Sequence, residues 1–251
     1  MSHHSYGPDV GVPRILELLK ETGTAATFFI PGWVAEHRPH LASDIVEAGH
    51  EVAHHSYSNH PPTAMPVDEE REDFERAVAV FAKQDIPVAG HRAAHLSATW
   101  LTAELVAEYG LLYDSSMRGD DQPYRLPTER GAVTEIPVNC LTSNGPLSPC
   151  LPTGYCDVQA HSPRQALQAW VDELDAVRHC NGLFTLAVDP STAGRPAWVA
   201  ALRKLIEYVQ EAGDIALARC QDIAHAASLD SSVVSRRVTL PNGLTKVYPA
   251  P

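Results

Sequence analysis

AATFFIPGWVAEHRPHLASDIVEAGHEVAHHSYSNH, residues 25 to 60, decides the fold. Ala25 to Ile30 is a short apolar and aromatic run ended by Pro31-Gly32, which predicts a buried strand. Leu41 to Ala48 predicts a helix stopped by Gly49, and Glu51 to His54 predicts a second strand. A strand, a helix and a strand in that order imply two parallel strands joined by a right-handed crossover. The polar string His54, His55, Ser56, Tyr57, Ser58, Asn59 and His60 then falls just past the second strand.

The same alternation extends outward in both directions. Upstream, Pro13 opens a helix whose Ile15, Leu16, Leu18 and Leu19 form an apolar face, with Gly23 as its stop. Downstream, Asp68 to Gln84 reads as a long acidic helix and Val88 to His91 as a strand. Thr99 to Tyr109 is a helix stopped by Gly110, Leu111 to Tyr113 a strand, and Val133 to Val138 another. Pro163 to His179 and Pro196 to Glu211 read as helices, Leu183 to Val188 and Asp214 to Ala218 as strands, and a short helix follows near Asp222. About seven strands alternating with helices give an α/β class, and without a glycine-rich first turn a barrel is favoured over a doubly wound sheet.

Two stretches break the rhythm. Residues 140 to 161 hold prolines, glycines and three cysteines without periodicity and read as a long loop over one end of the barrel. Cys140, Cys150, Cys156 and His161 there can be drawn as a zinc cage, but no C-x-x-C pair supports it; buried or idle thiols are the plainer reading. After residue 227 the tail contains Asn242-Gly243 between apolar runs, the signal of a hairpin. The division expected is a barrel domain over residues 1 to 227 and a C-terminal tail over 228 to 251.

Composition narrows the classes of function. The 251 residues carry 19 Lys and Arg against 31 Asp and Glu, a net charge of -12, with no basic cluster to follow a phosphate backbone. Nucleic acid is therefore not an expected partner. No apolar run reaches the roughly 18 residues of a membrane span, and the start MSHHSYGPDV lacks a signal-peptide profile. An odd count of five cysteines argues against a complete disulfide framework and agrees with a reducing, cytoplasmic setting. No G-x-S-x-G, Walker, G-x-G-x-x-G or H-E-x-x-H motif is present.

In an α/β barrel the chemistry sits where strands end, so the residues there are weighed as site candidates. They are the string from His54 to His60, then His91, Arg92 and His95, then Asp114 and Asp189. Neutral imidazoles at close spacing suit zinc and related divalent ions, so His55 and His60 are candidate ligands; solvated histidines on an acidic protein are the alternative. Arg92 reads either as an ion-pair partner or as the group that orients a catalytic carboxylate. Asp189 reads either as a cap before Pro190 or as an acid or base. Trp33 reads either as a rim aromatic that stacks on a ligand or as packing. Tyr57 and Asp114 join it as substrate-binding candidates.

Taken in order, GVPRILELLKETGTAATFFIPGW (11 to 33), EAGHEVAHHSYSNHPP (47 to 62), GHRAAH (90 to 95), GLLYDSS (110 to 116), EIPVN (135 to 139) and GLFTLAVDPSTAGRP (182 to 196) resemble the polysaccharide deacetylase family. This is the NodB-homology or carbohydrate esterase 4 family. The wording is nearest its cytosolic branch, which holds peptidoglycan-deacetylase-like proteins and bacterial allantoinases. The resemblance implies a distorted (β/α)7 barrel that hydrolyses a carbon-nitrogen bond in an N-acetyl sugar or a small amide or ureide. It also implies a divalent metal, zinc first, held by one aspartate and two histidines, with a second aspartate as base and a late histidine as acid.

Residue by residue, His55 matches the first metal histidine, and the second falls on Asn59 with His60 one place further. Arg92 matches the arginine motif, with Ala94 where the family has proline. The late histidine falls on Asp189. If Gly7-Pro8-Asp9 is the family's opening motif, Ser5 and Tyr6 stand where two aspartates belong. The expectation is then a chain that starts late and lacks the first barrel strand, leaving a sheet edge that favours homo-oligomers. Two functions follow: a hydrolase with a degenerate site, or a catalytically inactive relative that binds a carbohydrate, a small molecule or a protein partner.

Overall fold

The computed structural model describes residues 5–138, 162–235, 237–239 and 245–247. They fall into two compact units. Met1–Ala26 and Val138–Ala218 form one; Thr27–Pro137 and Arg219–Pro251 form the other.

The second unit is built on a sheet of six strands in the order β1-β2-β3-β4-β6-β5. β1 (Thr27–Ile30), β2 (Glu51–His54), β3 (Gly90–His91), β4 (Tyr113–Asp114) and β6 (Gly131–Glu135) run parallel, and β5 (Tyr124–Thr128) pairs antiparallel with β6. The crossovers that make this arrangement carry α2 (Gly32–His37), α3 (Pro39–Glu47), α4 (Val67–Lys83) and α5 (Trp100–Glu108). α4 lays Phe74, Ala77 and Phe81 inward at helical spacing. Phe74 joins Leu105, Val106, Leu126 and Val133 in one buried cluster. Each such side chain contributes about 1.5–3 kcal/mol on leaving water.

Successive strand residues point to opposite faces, so the register assigns the faces. Ile30, His54, His91, Asp114 and Glu135 occupy one continuous row across five strands. The residues one step further on, Arg92 and Ser115 among them, belong to the opposite face. Gly90 is required where β3 passes β4, because a Cβ there would lie 2.1 Å from the Tyr113 ring. Glu51 ties this face together: it accepts from Tyr113 Oη at 2.7 Å, Thr27 Oγ1 at 2.6 Å and the Gln221 N–H at 3.0 Å. The last of these stands in the first turn of α9 (Cys220–Leu229), where a carboxylate meets unpaired N–H groups.

The first unit is helical among its described residues, with α1 (Val12–Thr22), α6 (Pro163–His179), α7 (Pro190–Ala193) and α8 (Pro196–Ala212). Ile15, Leu18 and Leu19 of α1 are buried, as are Trp170 and Leu174 of α6 and Leu202, Leu205 and Val209 of α8. Trp170 and Trp198 meet with ring centroids 6.2 Å apart, and Arg203 pairs with Glu21.

The α/β class and the first five expected strands are present, shortened or shifted by a residue or two. Two expectations fail. Leu183 to Val188 and Asp214 to Ala218 form no strand. Both have the right apolar pattern, but a strand exists only through ladder bonds to a neighbour, which no pattern within one segment supplies. β5 went unforeseen because Pro127 argues against a strand; it survives at a sheet edge, where a missing N–H is tolerated.

In the tail, β7 (Arg237–Thr239) and β8 (Thr245–Val247) pair antiparallel. Just before them Ser235 bridges Arg125 of β5, whose N–H donates to the Val234 carbonyl at 2.9 Å. The outer edge of β5 is thereby covered, which blunts edge-to-edge pairing there. The loop from Cys140 to His161, with its drawn zinc cage, and the Asn242-Gly243 turn lie outside the described residues.

Candidate active site

His55 follows β2 directly and is half-buried. Its Nδ1 lies 2.6 Å from the Arg92 carbonyl oxygen, which can only accept, so Nδ1 carries the proton and Nε2 keeps a lone pair. Burial holds this imidazole down at about 4, against the opposing pull of the Arg92 carbonyl and with further lowering from the Arg92 charge. His55 is therefore neutral near pH 7. The Asn59 side chain lies beside the ring.

Arg92 is fixed on three sides. Its Nε donates to the Ser115 carbonyl at 2.8 Å and its Nη2 to Ser115 Oγ at 2.7 Å, while the guanidinium lies 4.0 Å over the Phe29 ring. Ser115 Oγ in turn donates to the Ile136 carbonyl at 2.8 Å. The Arg92 N–H donates to the His54 carbonyl at 3.0 Å. One backbone segment thus holds a neutral imidazole and a permanent cation side by side at the ends of β2 and β3.

The loop from Ser56 to His60 bends sharply. Ser56 and Asn59 both have positive φ, 54° and 60°, which costs a non-glycine residue of order 1 kcal/mol each. Several bonds hold it. The Gly32 and Trp33 N–H groups donate to the Ser56 and Tyr57 carbonyls at 2.8 and 3.1 Å. The Asp73 carboxylate of α4 accepts the Tyr57 N–H at 2.9 Å and the Ser58 N–H at 3.0 Å. No motif pointed to Asp73; the only signal in the sequence was an acidic residue on the helix that follows the histidine loop.

The other candidates separate. Asn59 and His60 stand exposed at the loop's end. Trp33 is 46% exposed at the start of α2 and stacks on His37 at 4.2 Å. Tyr57 is only 6% exposed; its hydroxyl donates to Glu36 at 2.6 Å and accepts from Arg76, whose guanidinium covers the ring at 3.5 Å. Asp189, in the other unit, caps α7 by accepting the Ser191 N–H at 2.7 Å.

Asp114 faces away from Arg92, in the buried row. Its Oδ1 accepts from Ser116 Oγ at 2.7 Å, and Ser116 Oγ accepts the Ala93 N–H at 2.8 Å. Its neighbour Glu135 accepts the Met117 N–H at 2.8 Å. Each carboxyl has a second, buried oxygen with no hydrogen-bond partner. Two buried carboxyls side by side disfavour the doubly ionised state. Burial raises Asp114 to about 6 and, with the Asp114 charge beside it, pushes Glu135 well above the usual range.

Alongside, His54 Nε2 donates to the Phe74 carbonyl at 3.1 Å, so its Nδ1 accepts from His91 Nδ1 at 2.8 Å. His91 Nε2 is left as a buried acceptor without a donor. Burial holds His54 at about 3 and His91 well below its ordinary value.

The crystal structure of a protein from Mycobacterium smegmatis assigned to the polysaccharide deacetylases superposes with a TM-score of 0.84. It is 34% identical, over 96% of this chain and 84% of that one. The chain belongs to the polysaccharide deacetylase family. The family's model, Polysaccharide deacetylase, matches residues 5–113. A peptidoglycan deacetylase of Helicobacter pylori is 28% identical over 84% of this chain and 81% of its own. The Puue allantoinase structure superposes with a TM-score of 0.78 at 26% identity, over 89% and 74% of the two chains. The α/β barrel fold expected from the sequence is thus the family's fold.

Deacetylases of this family are generally metal-dependent. The described residues do not fit such a centre: no group of three or more His, Cys, Asp or Glu among them converges to hold an ion. Of the expected ligands His55, Asn59 and His60, His55 offers a seated, unprotonated nitrogen.

Proposed function

We propose that this polysaccharide deacetylase-family chain hydrolyses a non-peptide carbon-nitrogen bond, in an N-acetyl sugar or a small amide or ureide, through a degenerate site built on His55 and Arg92. The observation that carries this reading is the His55–Arg92 carbonyl bond, which seats a neutral imidazole beside a fixed cation at the strand ends. The Arg92 charge stabilises the negative charge that grows on the carbonyl oxygen during attack by water. The His55 lone pair accepts a hydrogen bond from that water. Trp33 supplies an exposed aromatic face for a sugar ring. No step is routed through zinc at His55, His60 and Asn59, because only the first presents a seated donor. An odd number of cysteines, with free thiols at Cys180 and Cys220, supports a cytoplasmic setting. Among the described residues no helix is long and apolar enough to cross a membrane.

The test follows acetate release from chitooligosaccharides and ammonia release from allantoin-type ureides, with bound metal quantified in the same samples. Wild type is expected to turn over one class, His55→Ala to abolish turnover, and Arg92→Lys to reduce it by about 100-fold. Asp189→Ala removes the cap on α7 and is expected to cost about 1 kcal/mol of stability, read from the melting temperature. A second reading, an inactive relative that binds without turnover, is favoured by Asn59, which stands exposed at the position where the family resemblance calls for the second metal histidine. Saturable binding of the same oligosaccharide with no product would establish it. Light scattering on the eluted protein tests the homo-oligomer.

A further inference from the structure

We infer that Asp73 is a positioning residue for the site: from α4 its carboxylate holds the loop that carries His55 and Asn59 in its bent form. The inference rests on the hydrolase reading for its catalytic consequence, though not for its geometry. Asp73 Oδ2 accepts the Tyr57 N–H at 2.9 Å and Oδ1 the Ser58 N–H at 3.0 Å, so both oxygens are engaged by consecutive backbone amides. Those two amides lie between the positive-φ residues Ser56 and Asn59, the points where the loop reverses. The turn at Ser56 sets the side chain that precedes it, His55, and the turn at Asn59 brings an amide to the His55 ring.

The other bonds on the loop fall outside this pair of amides. The carbonyls of Ser56 and Tyr57 are bound to Gly32 and Trp33, which fixes the acceptor side. The Ser56 N–H donates to His54 Nδ1 at 3.3 Å at the loop's near end, and Ser58 Oγ receives the His60 N–H at 3.2 Å at its far end. The Tyr57 side chain is held separately by Glu36 and Arg76, so it anchors the loop to α2 and α4 without setting its backbone turn. The carboxylate is therefore the group that satisfies the two central amides of the loop. Two charge-assisted bonds to adjacent amides resist the relaxation of two left-handed residues toward ordinary backbone angles.

Three proteins decide it: wild type, Asp73→Ala and Asp73→Asn. Asparagine keeps one acceptor oxygen and so one of the two bonds. With melting temperature confirming that each variant is folded, hydrogen exchange is read at the Tyr57 and Ser58 amides, and the nitrogen NMR shifts of the His55 ring at one pH. Chitooligosaccharide deacetylation is measured alongside. The expected result for Asp73→Ala is at least about 10-fold faster exchange at both amides and a displaced His55 ring signal. Where the wild type turns over, kcat falls by about 100-fold with KM little changed, and Asp73→Asn lies between. Unchanged exchange and ring shifts in Asp73→Ala overturn the inference, as does an unchanged kcat despite altered shifts. An inactive wild type with shifted signals in Asp73→Ala defeats the hydrolase reading and leaves the loop restraint established.

Discussion

Glu135→Gln is expected to stabilise the protein increasingly as pH rises. Asp114 and Glu135 are both fully buried on neighbouring strands, and burial with the Asp114 charge beside it holds Glu135 toward its neutral form. In the unfolded chain both ionise near pH 4. In the folded chain their pKa values are raised, so between pH 4 and 6 the folded state binds more protons than the unfolded state. Stability contributed by the pair is then present at low pH and lost as pH rises through that window. Glu135→Gln removes the Glu135 share of this loss and leaves the burial of Asp114, which lifts that carboxyl to about 6, in place. Glutamine keeps the oxygen that accepts the Met117 N–H and carries no charge to bury. Urea unfolding followed by circular dichroism at pH 4.5 and pH 8, for wild type and variant, measures the effect. The stability difference between the two proteins should shift by at least about 1.4 kcal/mol, the equivalent of one pKa unit, in favour of the variant at the higher pH. A difference constant to within about 0.5 kcal/mol across that range would show that Glu135 is not held neutral by the fold.

Three further outcomes are expected. In the Glu135→Gln background, acid should destabilise the fold below pH 6.5, because His54 and His91 are buried neutral and the unfolded state takes up their protons first. A slope of up to about 1.4 kcal/mol per pH unit for each histidine is read from urea titrations. Glu51→Ala removes three bonds and strands the buried Tyr113 hydroxyl, so unfolding titrations should report a loss of about 3 kcal/mol, with Glu51→Gln between. Gly90→Ala forces a Cβ to within 2.1 Å of the Tyr113 ring and should cost about 3 kcal/mol; trimming that ring with Tyr113→Leu in the double variant should recover part of it.

Much of the scaffold was legible in the sequence because its determinants are local. Pro31-Gly32 ends β1, Gly49 precedes β2, and the apolar spacing of α4 and α6 needs no partner to be recognised. His55 and Arg92 were legible as candidates because each follows a strand. Leu183 to Val188 was misread for the converse reason: its pattern suits a strand, but pairing is a property of two segments. Tyr57 stood among the substrate-binding candidates, and its side chain is clasped by Glu36 and Arg76, which no spacing along the chain announces.

By itself the sequence determined the alternation of elements, the family, and the residue types that stand at strand ends. Those follow from periodicity, turn chemistry and motif order within short stretches. Tertiary structure alone decided that His54, His91, Asp114 and Glu135, drawn from four separate segments, share one buried row. It also decided that Asp114 turns away from Arg92 and that Asp73 reaches the histidine loop. In a sheet a one-residue change of register moves every side chain to the other face, and register is set by strand neighbours that the linear sequence does not identify.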